Sequence, residues 1–190
     1  MGITIMGGEF KGRKLATDSS SQIIRPTSGK VREALFSSLG EFIFDSTFVD
    51  LYAGSGSVGL EALSRGASAV TLVENNPKSW ALLKANIHVV ADPLPNFKSK
   101  VLPIHADVKS FCRQMLEQNQ KFDIVFADPP FADDFSWLKQ AVLAIVSPGG
   151  MGIIQYPTKN PPVWAQEASK SKVYGESTIA YFKVSTDLVV

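Results

Sequence analysis

The sequence predicts an α/β protein: a mostly parallel sheet covered by helices on both faces, ending in a C-terminal antiparallel hairpin and preceded by a small N-terminal β-hairpin and helix. Three observations lead there. From residue 47 onward, short apolar runs alternate with segments of helical periodicity. The closing stretch K-V-Y-G-E-S-T-I-A-Y-F-K-V (172–184) reads as two strands about a Gly-Glu-Ser turn. And 190 residues, 45% of them hydrophobic, suit one domain with a sizeable core.

Taken in order, residues 3–16 (I-T-I-M-G-G-E-F-K-G-R-K-L-A) give two short strands around a glycine-bearing turn. A polar S-S-S-Q linker leads to R-P-T-S-G-K-V-R-E-A-L-F-S-S-L-G. There Thr27 or Ser28 can cap a helix that carries Val31, Leu35, Phe36 and Leu39 on one face and stops at Gly40. Strands are expected at 47–52, 69–74, 100–105, 122–128 and 150–156, with helices at about 57–65, 77–90, 107–119 and 135–146. Asn76 before Pro77 marks a helix start, because proline at the first helical position forfeits no hydrogen bond. We expect a single domain over 1–190, with 1–40 as an N-terminal hairpin-and-helix extension and 41–190 as the α/β core.

Composition narrows the function classes. Net charge is +1, but residues 1–32 carry an excess of four positive charges and the remainder a net of minus three. A basic arm on a slightly acidic body points weakly to nucleic acid; a solvated lysine-rich hairpin explains it as well. One cysteine, Cys112, precludes an internal disulfide framework and suits a reducing compartment, so a cytoplasmic location is expected. No charged-then-apolar leader and no apolar run near 18 residues is present, so neither secretion nor membrane insertion is expected. His88 and His105 are not clustered with other ligand types, so no metal is expected. Nothing demands a partner chain, and a monomer is expected.

After the first parallel strand comes V-D-L-Y-A-G-S-G-S-V-G-L-E-A-L. Gly54, Gly56 and Gly59 match G-x-G-x-x-G, and Glu74 follows Gly54 by 20 residues, which satisfies a dinucleotide fingerprint. Asp50 favours another ligand. A carboxylate at that strand end would face like charge in a pyrophosphate site, whereas it suits the ammonium group of S-adenosylmethionine. Glu74 would then accept from both ribose hydroxyls and Asp107 from the adenine amino group; Asp107 as only the N-cap of the next helix is the competing reading.

The fourth strand breaks as D-I-V-F-A-D-P-P-F, residues 123–131. Pro129 and Pro130 fix two φ angles and remove two amide donors, leaving the Asp128 carboxylate and a carbonyl as acceptors. Phe131 offers a ring on which a planar base can stack while its exocyclic amine donates to those acceptors. An aromatic amine is a poor nucleophile, and two fixed acceptors can draw its lone pair toward an electrophilic methyl group. As an isolated tetrapeptide the turn reads equally well as a rigid loop.

These stretches, with G-G-E-F-K-G-R-K-L (7–15) and R-P-T-S-G-K-V-R-E-A-L-F (25–36), resemble the RsmD family of bacterial small-subunit rRNA guanine-N2 methyltransferases, over about residues 3–185. The resemblance implies a class I, Rossmann-like methyltransferase sheet and methylation of a guanine in 16S rRNA, within the small ribosomal subunit or an assembly intermediate. It implies donor contacts from Asp50, Tyr52, Gly54, Ser55, Gly56, Glu74, Asn75 and Asp107, and a catalytic turn of Asp128, Pro129, Pro130 and Phe131. Tyr52 stands where the family often has phenylalanine. It places RNA contacts on Lys11, Arg13, Lys14, Arg25, Thr27 and Arg32. Adenine-N6 methylation of DNA or RNA is the alternative within the class. An NAD-dependent oxidoreductase leaves Asp50 and the Asp-Pro-Pro turn idle, and a non-catalytic nucleic-acid-binding module has no use for a donor pocket.

Overall fold

The computed structural model describes residues 2–17, 28–91, 99–130 and 136–186. Internal contacts divide the chain into two compact units, Met1–Val108 and Lys109–Val190.

The first unit opens with a minimal hairpin, β1 (Ile3–Thr4) and β2 (Lys14–Leu15), in which Ile3 faces Leu15. Helix α1 (Gly29–Leu39) begins where Ser28 Oγ accepts the Val31 N–H at 3.3 Å, so Ser28, one of the two expected caps, acts as such. Gly40, at φ 54°, ends it and donates to Phe36 O; a 3-10 turn, Gly40–Ile43, follows. Then β3 (Thr47–Asp50), α2 (Ser57–Ser64), β4 (Ala69–Glu74), α3 (Pro77–Ala91) and β5 (Val101–His105) succeed one another. The three strands are parallel with β4 in the middle, Asp50 opposite Leu72 and Glu74 opposite His105. Strand β3 stops at Asp50, short of the expected 52, because the chain turns there and Ala53 N–H donates to Val73 O at 2.9 Å. Every residue of α2 is buried, and a helix buried all round must satisfy whatever polar groups it carries.

The second unit holds α4 (Val108–Glu117, whose first residue belongs to the first unit), β6 (Phe122–Ala127), α5 (Leu138–Ala144), β7 (Val146–Pro157), β8 (Lys170–Tyr174) and β9 (Ser177–Lys183). Strand β6 runs parallel to β7, which pairs antiparallel with β9, and β9 pairs antiparallel with β8. The expected helix over 135–146 is shorter and the expected strand at 150–156 longer. The reason lies in S-P-G-G, 147–150. Phe122 faces Val146, yet Ile124 already faces Met151, so β7 carries extra residues opposite β6. Gly149 sits at φ 79°, and a Cβ on Gly150 would lie 2.7 Å from the Asp123 carbonyl. A 3-10 turn, Val163–Glu167, brings Trp164 edge-on to Tyr156 and Phe182 with ring centroids 5.7 and 5.9 Å apart. Cys112 is buried in α4. No helix among the described residues is long and apolar enough to cross a membrane.

Parallel strands joined by helices, with antiparallel strands at the C-terminal end, are the α/β class that the sequence predicts.

Candidate active site

The carboxyl ends of β3 and β4 carry the glycine turn and two of the expected carboxylates, Asp50 and Glu74. Gly54 and Gly56 take φ 54° and 81°, the left-handed conformation that glycine adopts without steric cost. Gly59 serves packing: a Cβ there would meet Leu72 Cδ2 at 2.1 Å. Asp50 is 1% exposed, and its Oδ2 accepts the Gly59 N–H of the first turn of α2 at 3.3 Å. The helix N-terminus therefore contributes to offsetting the desolvation that the sequence assigned to a ligand's ammonium alone.

Glu74 is the best-defined group. Its Oε2 accepts from Gly54 N–H at 2.8 Å and its Oε1 from Asn76 N–H at 2.7 Å. Each carboxylate oxygen has two lone pairs, so each retains one acceptor position. Two adjacent acceptor positions are what a vicinal diol requires, and the residues fit a ribose. Asn75 is exposed, and its carbonyl lies 3.2 Å from His105 Nε2, a contact that places the proton on Nε2. The His105 ring stacks on Trp80 at 5.0 Å and 11°. Tyr52 is half-buried, Ser55 is buried, and Asp107 is exposed just before α4. The structure thus brings Asp50, Gly54, Ser55, Gly56, Glu74 and Asn75 to one region of the first unit.

In the second unit Asp128 is the first residue past β6 and is half-buried, Pro129 is buried, and Pro130 is exposed. Phe131, Arg25 and Thr27 lie outside the described residues.

Of the basic residues, Lys11 and Lys14 face solvent. Arg13 is half-buried, donating through Nη1 to Val90 O at 2.6 Å with its guanidinium 4.9 Å from the Phe10 ring. Arg32 corrects the expectation of an RNA contact. It is 2% exposed, Nη2 donates to Thr4 O at 2.8 Å, and Nε lies 3.8 Å from Glu61 Oε2. Burial lowers its pKa from the ordinary arginine value, the Glu61 carboxylate opposes that, and Arg65 adds to it. The resemblance placed Arg32 among the RNA contacts, but α1 turns it inward onto the hairpin.

Glu61 and Ser64 are the residues that sequence reasoning missed. Glu61 is fully buried; it accepts Met6 N–H at 3.2 and 3.1 Å, and its Oε1 receives Arg65 Nε and Nη2 at 3.0 and 2.8 Å. Ser64 Oγ accepts Phe10 N–H at 2.9 Å and donates to Gly7 O at 2.6 Å, while its carbonyl accepts Glu9 N–H at 2.7 Å. One signal was available: a charged residue in a helix otherwise made of Val, Gly, Leu, Ala and Ser. The basic hairpin is therefore docked on α2, whose opposite end holds Asp50.

A family model described as "Conserved hypothetical protein 95" matches residues 3–183. The chain is 36% identical over 163 residues to ribosomal RNA small subunit methyltransferase D of Escherichia coli K12, a match spanning 76% of this chain and 73% of that one. The chain belongs to the ribosomal RNA small subunit methyltransferase D (RsmD) family. A hypothetical protein of Thermus thermophilus, known as a solved structure, superposes with a TM-score of 0.80 at 30% identity, covering 96% of this chain and 99% of that one. At the level of fold alone, an RNA methyltransferase of Salinibacter ruber in complex with S-adenosyl-L-homocysteine matches with a TM-score of 0.64 at 14% identity, covering 86% of this chain and 96% of that one. In this RsmD-family methyltransferase the glycine turn and Glu74 belong to the first unit, and the Asp128 turn to the second.

Proposed function

We propose that this chain methylates the exocyclic N2 amine of a guanine in 16S rRNA, using S-adenosylmethionine, within the small ribosomal subunit or an assembly intermediate. It acts as a monomer in the cytoplasm. The observation that carries the reading is Glu74, held by two backbone amides with two acceptor positions left for a ribose diol. The names of the relatives favour rRNA as the acceptor, and the Asp-Pro-Pro-Phe turn suits an amine on a planar base.

When bound, S-adenosylmethionine supplies an electrophilic methyl group on sulfonium and leaves as S-adenosylhomocysteine. Glu74 accepts from the ribose hydroxyls. The turn around Gly54 and Gly56 lets the ligand approach the backbone, because neither residue carries a side chain in the way. Asp128 and a carbonyl of the Pro-Pro segment accept hydrogen bonds from the two amine hydrogens, orient the nitrogen lone pair and stabilise the positive charge that develops on it, and the methylated nitrogen then gives up one proton to water. Phe131 stacks on the base, and Lys11 and Lys14 meet phosphates.

Glu74→Gln is expected to raise the dissociation constant for S-adenosylhomocysteine about tenfold to a hundredfold, because one acceptor of a hydroxyl becomes a donor. Titration calorimetry without RNA measures it, and unaltered affinity would remove Glu74 from the donor site. The acceptor is tested by nucleoside mass spectrometry of rRNA from cells with and without the active chain. Loss of N2-methylguanosine is the expected result; loss of N6-methyladenosine in its place would overturn the choice of base.

A further inference from the structure

We propose that Asn86 is a positioning residue for methyl transfer, fixing the donor-binding turn against the foot of the basic hairpin; the inference rests on the donor reading given above. Asn86 lies inside α3 and is fully buried. Its Oδ1 accepts Ala16 N–H at 2.7 Å, and its Nδ2 donates to Ala16 O at 3.0 Å and Ser55 O at 2.8 Å. Both N–H donors and the carbonyl of the side-chain amide are thereby used.

Any buried asparagine must be satisfied, so what matters is the choice of partners. Ser55 sits between Gly54, whose N–H orients Glu74, and Gly56, whose N–H donates to Ala53 O at 2.7 Å. Holding the Ser55 carbonyl from α3 adds a third fixed point to the turn, beside those two amides. The other partner, Ala16, directly follows β2, and both of its backbone polar groups go to Asn86. Helix α3 also holds the residue just before β2, where Val90 O accepts from Arg13 Nη1. One amide thus sets how far the hairpin, with Lys11 and Lys14, stands from the donor turn.

No other side chain meets this demand of two donors and one acceptor at that length. Aspartate would turn a carboxylate on two carbonyls, and glutamine adds a methylene to a site with no exposed surface.

The test uses the full chain with Asn86→Ala and Asn86→Ser, S-adenosylhomocysteine as the probe, and hydrogen exchange by mass spectrometry at a temperature where each variant is folded. Losing the bond that orients the turn is expected to raise the dissociation constant for S-adenosylhomocysteine about tenfold in Asn86→Ala and less in Asn86→Ser, which keeps one hydroxyl. Exchange should quicken at 52–57 and 14–17 and stay slow in β4. A purely structural asparagine would lower the melting temperature without changing affinity. Wild-type affinity in either folded variant, or exchange quickened evenly along the chain, overturns the inference alone. Failure of the wild-type protein to bind the probe overturns the donor reading and this inference with it.

Discussion

Asp128→Asn is expected to lower the turnover number by about 10²–10³-fold while leaving the affinity for S-adenosylhomocysteine within about twofold of wild type. The substitution is nearly isosteric, so its effect is electronic. Asp128 follows β6 directly, and the two prolines after it contribute no amide donors. The Pro-Pro segment can therefore only accept. Asparagine at position 128 replaces one acceptor oxygen with an NH2 group that faces the N–H of the amine and removes the charge that balances the developing cation. Donor binding is expected to be spared because the groups assigned to the donor, Asp50 and Glu74 among them, keep their own hydrogen bonds to Gly59, Gly54 and Asn76. Single-turnover methylation of small ribosomal subunits, paired with calorimetry, separates the two effects. A rate within about threefold of wild type would remove Asp128 from the chemistry.

Glu61→Ala is the substitution expected to cost the most stability, about 3–5 kcal/mol. The carboxylate is fully buried between three groups that need it: the Met6 amide, the Arg65 guanidinium and the charge of Arg32. Exposed ion pairs contribute about 0–1 kcal/mol, but removing one partner from a buried set leaves the other charges uncompensated. Arg32, at 2% exposure, has no water to turn to. Urea denaturation measures the loss, and a double-mutant cycle with Arg32→Met identifies its source. The double variant should be more stable than the sum of the single effects predicts, because the stranded charge is then gone. A loss below about 1 kcal/mol for Glu61→Ala would mean that the network rearranges freely.

The fold was legible because its signals are local and mutually consistent. Pro77 and Gly40 mark helix ends by backbone chemistry that does not depend on the rest of the chain. The β3–α2 turn was legible for the same reason, since left-handed positions select glycine. What the sequence hid are charges whose environment is set by distant segments. Arg32 and Glu61 are ordinary surface residues by type, and their burial follows from the hairpin closing over them. Asn86 carries no motif at all: a lone asparagine in a helix shows its role only when Ala16 and Ser55 arrive beside it. The S-P-G-G bulge in β7 was misread because two glycines and a proline usually end an element, whereas here they let one strand carry extra residues past its neighbour.

The hairpin's attachment has a consequence for the order of folding. Its ladder pairs only Ile3 with Leu15 and Thr4 with Lys14, too little to stand alone in water. Its anchors lie 55 residues ahead at Glu61, 70 at Asn86 and 77 at Val90. The hairpin, which precedes its anchors in the chain, must therefore wait until α2 and α3 have emerged and packed, and it is expected to be among the last parts of the first unit to become fixed. Docking of the hairpin is then itself the sign that α2 and α3 beneath it are in place, so a half-made first unit presents no ordered hairpin.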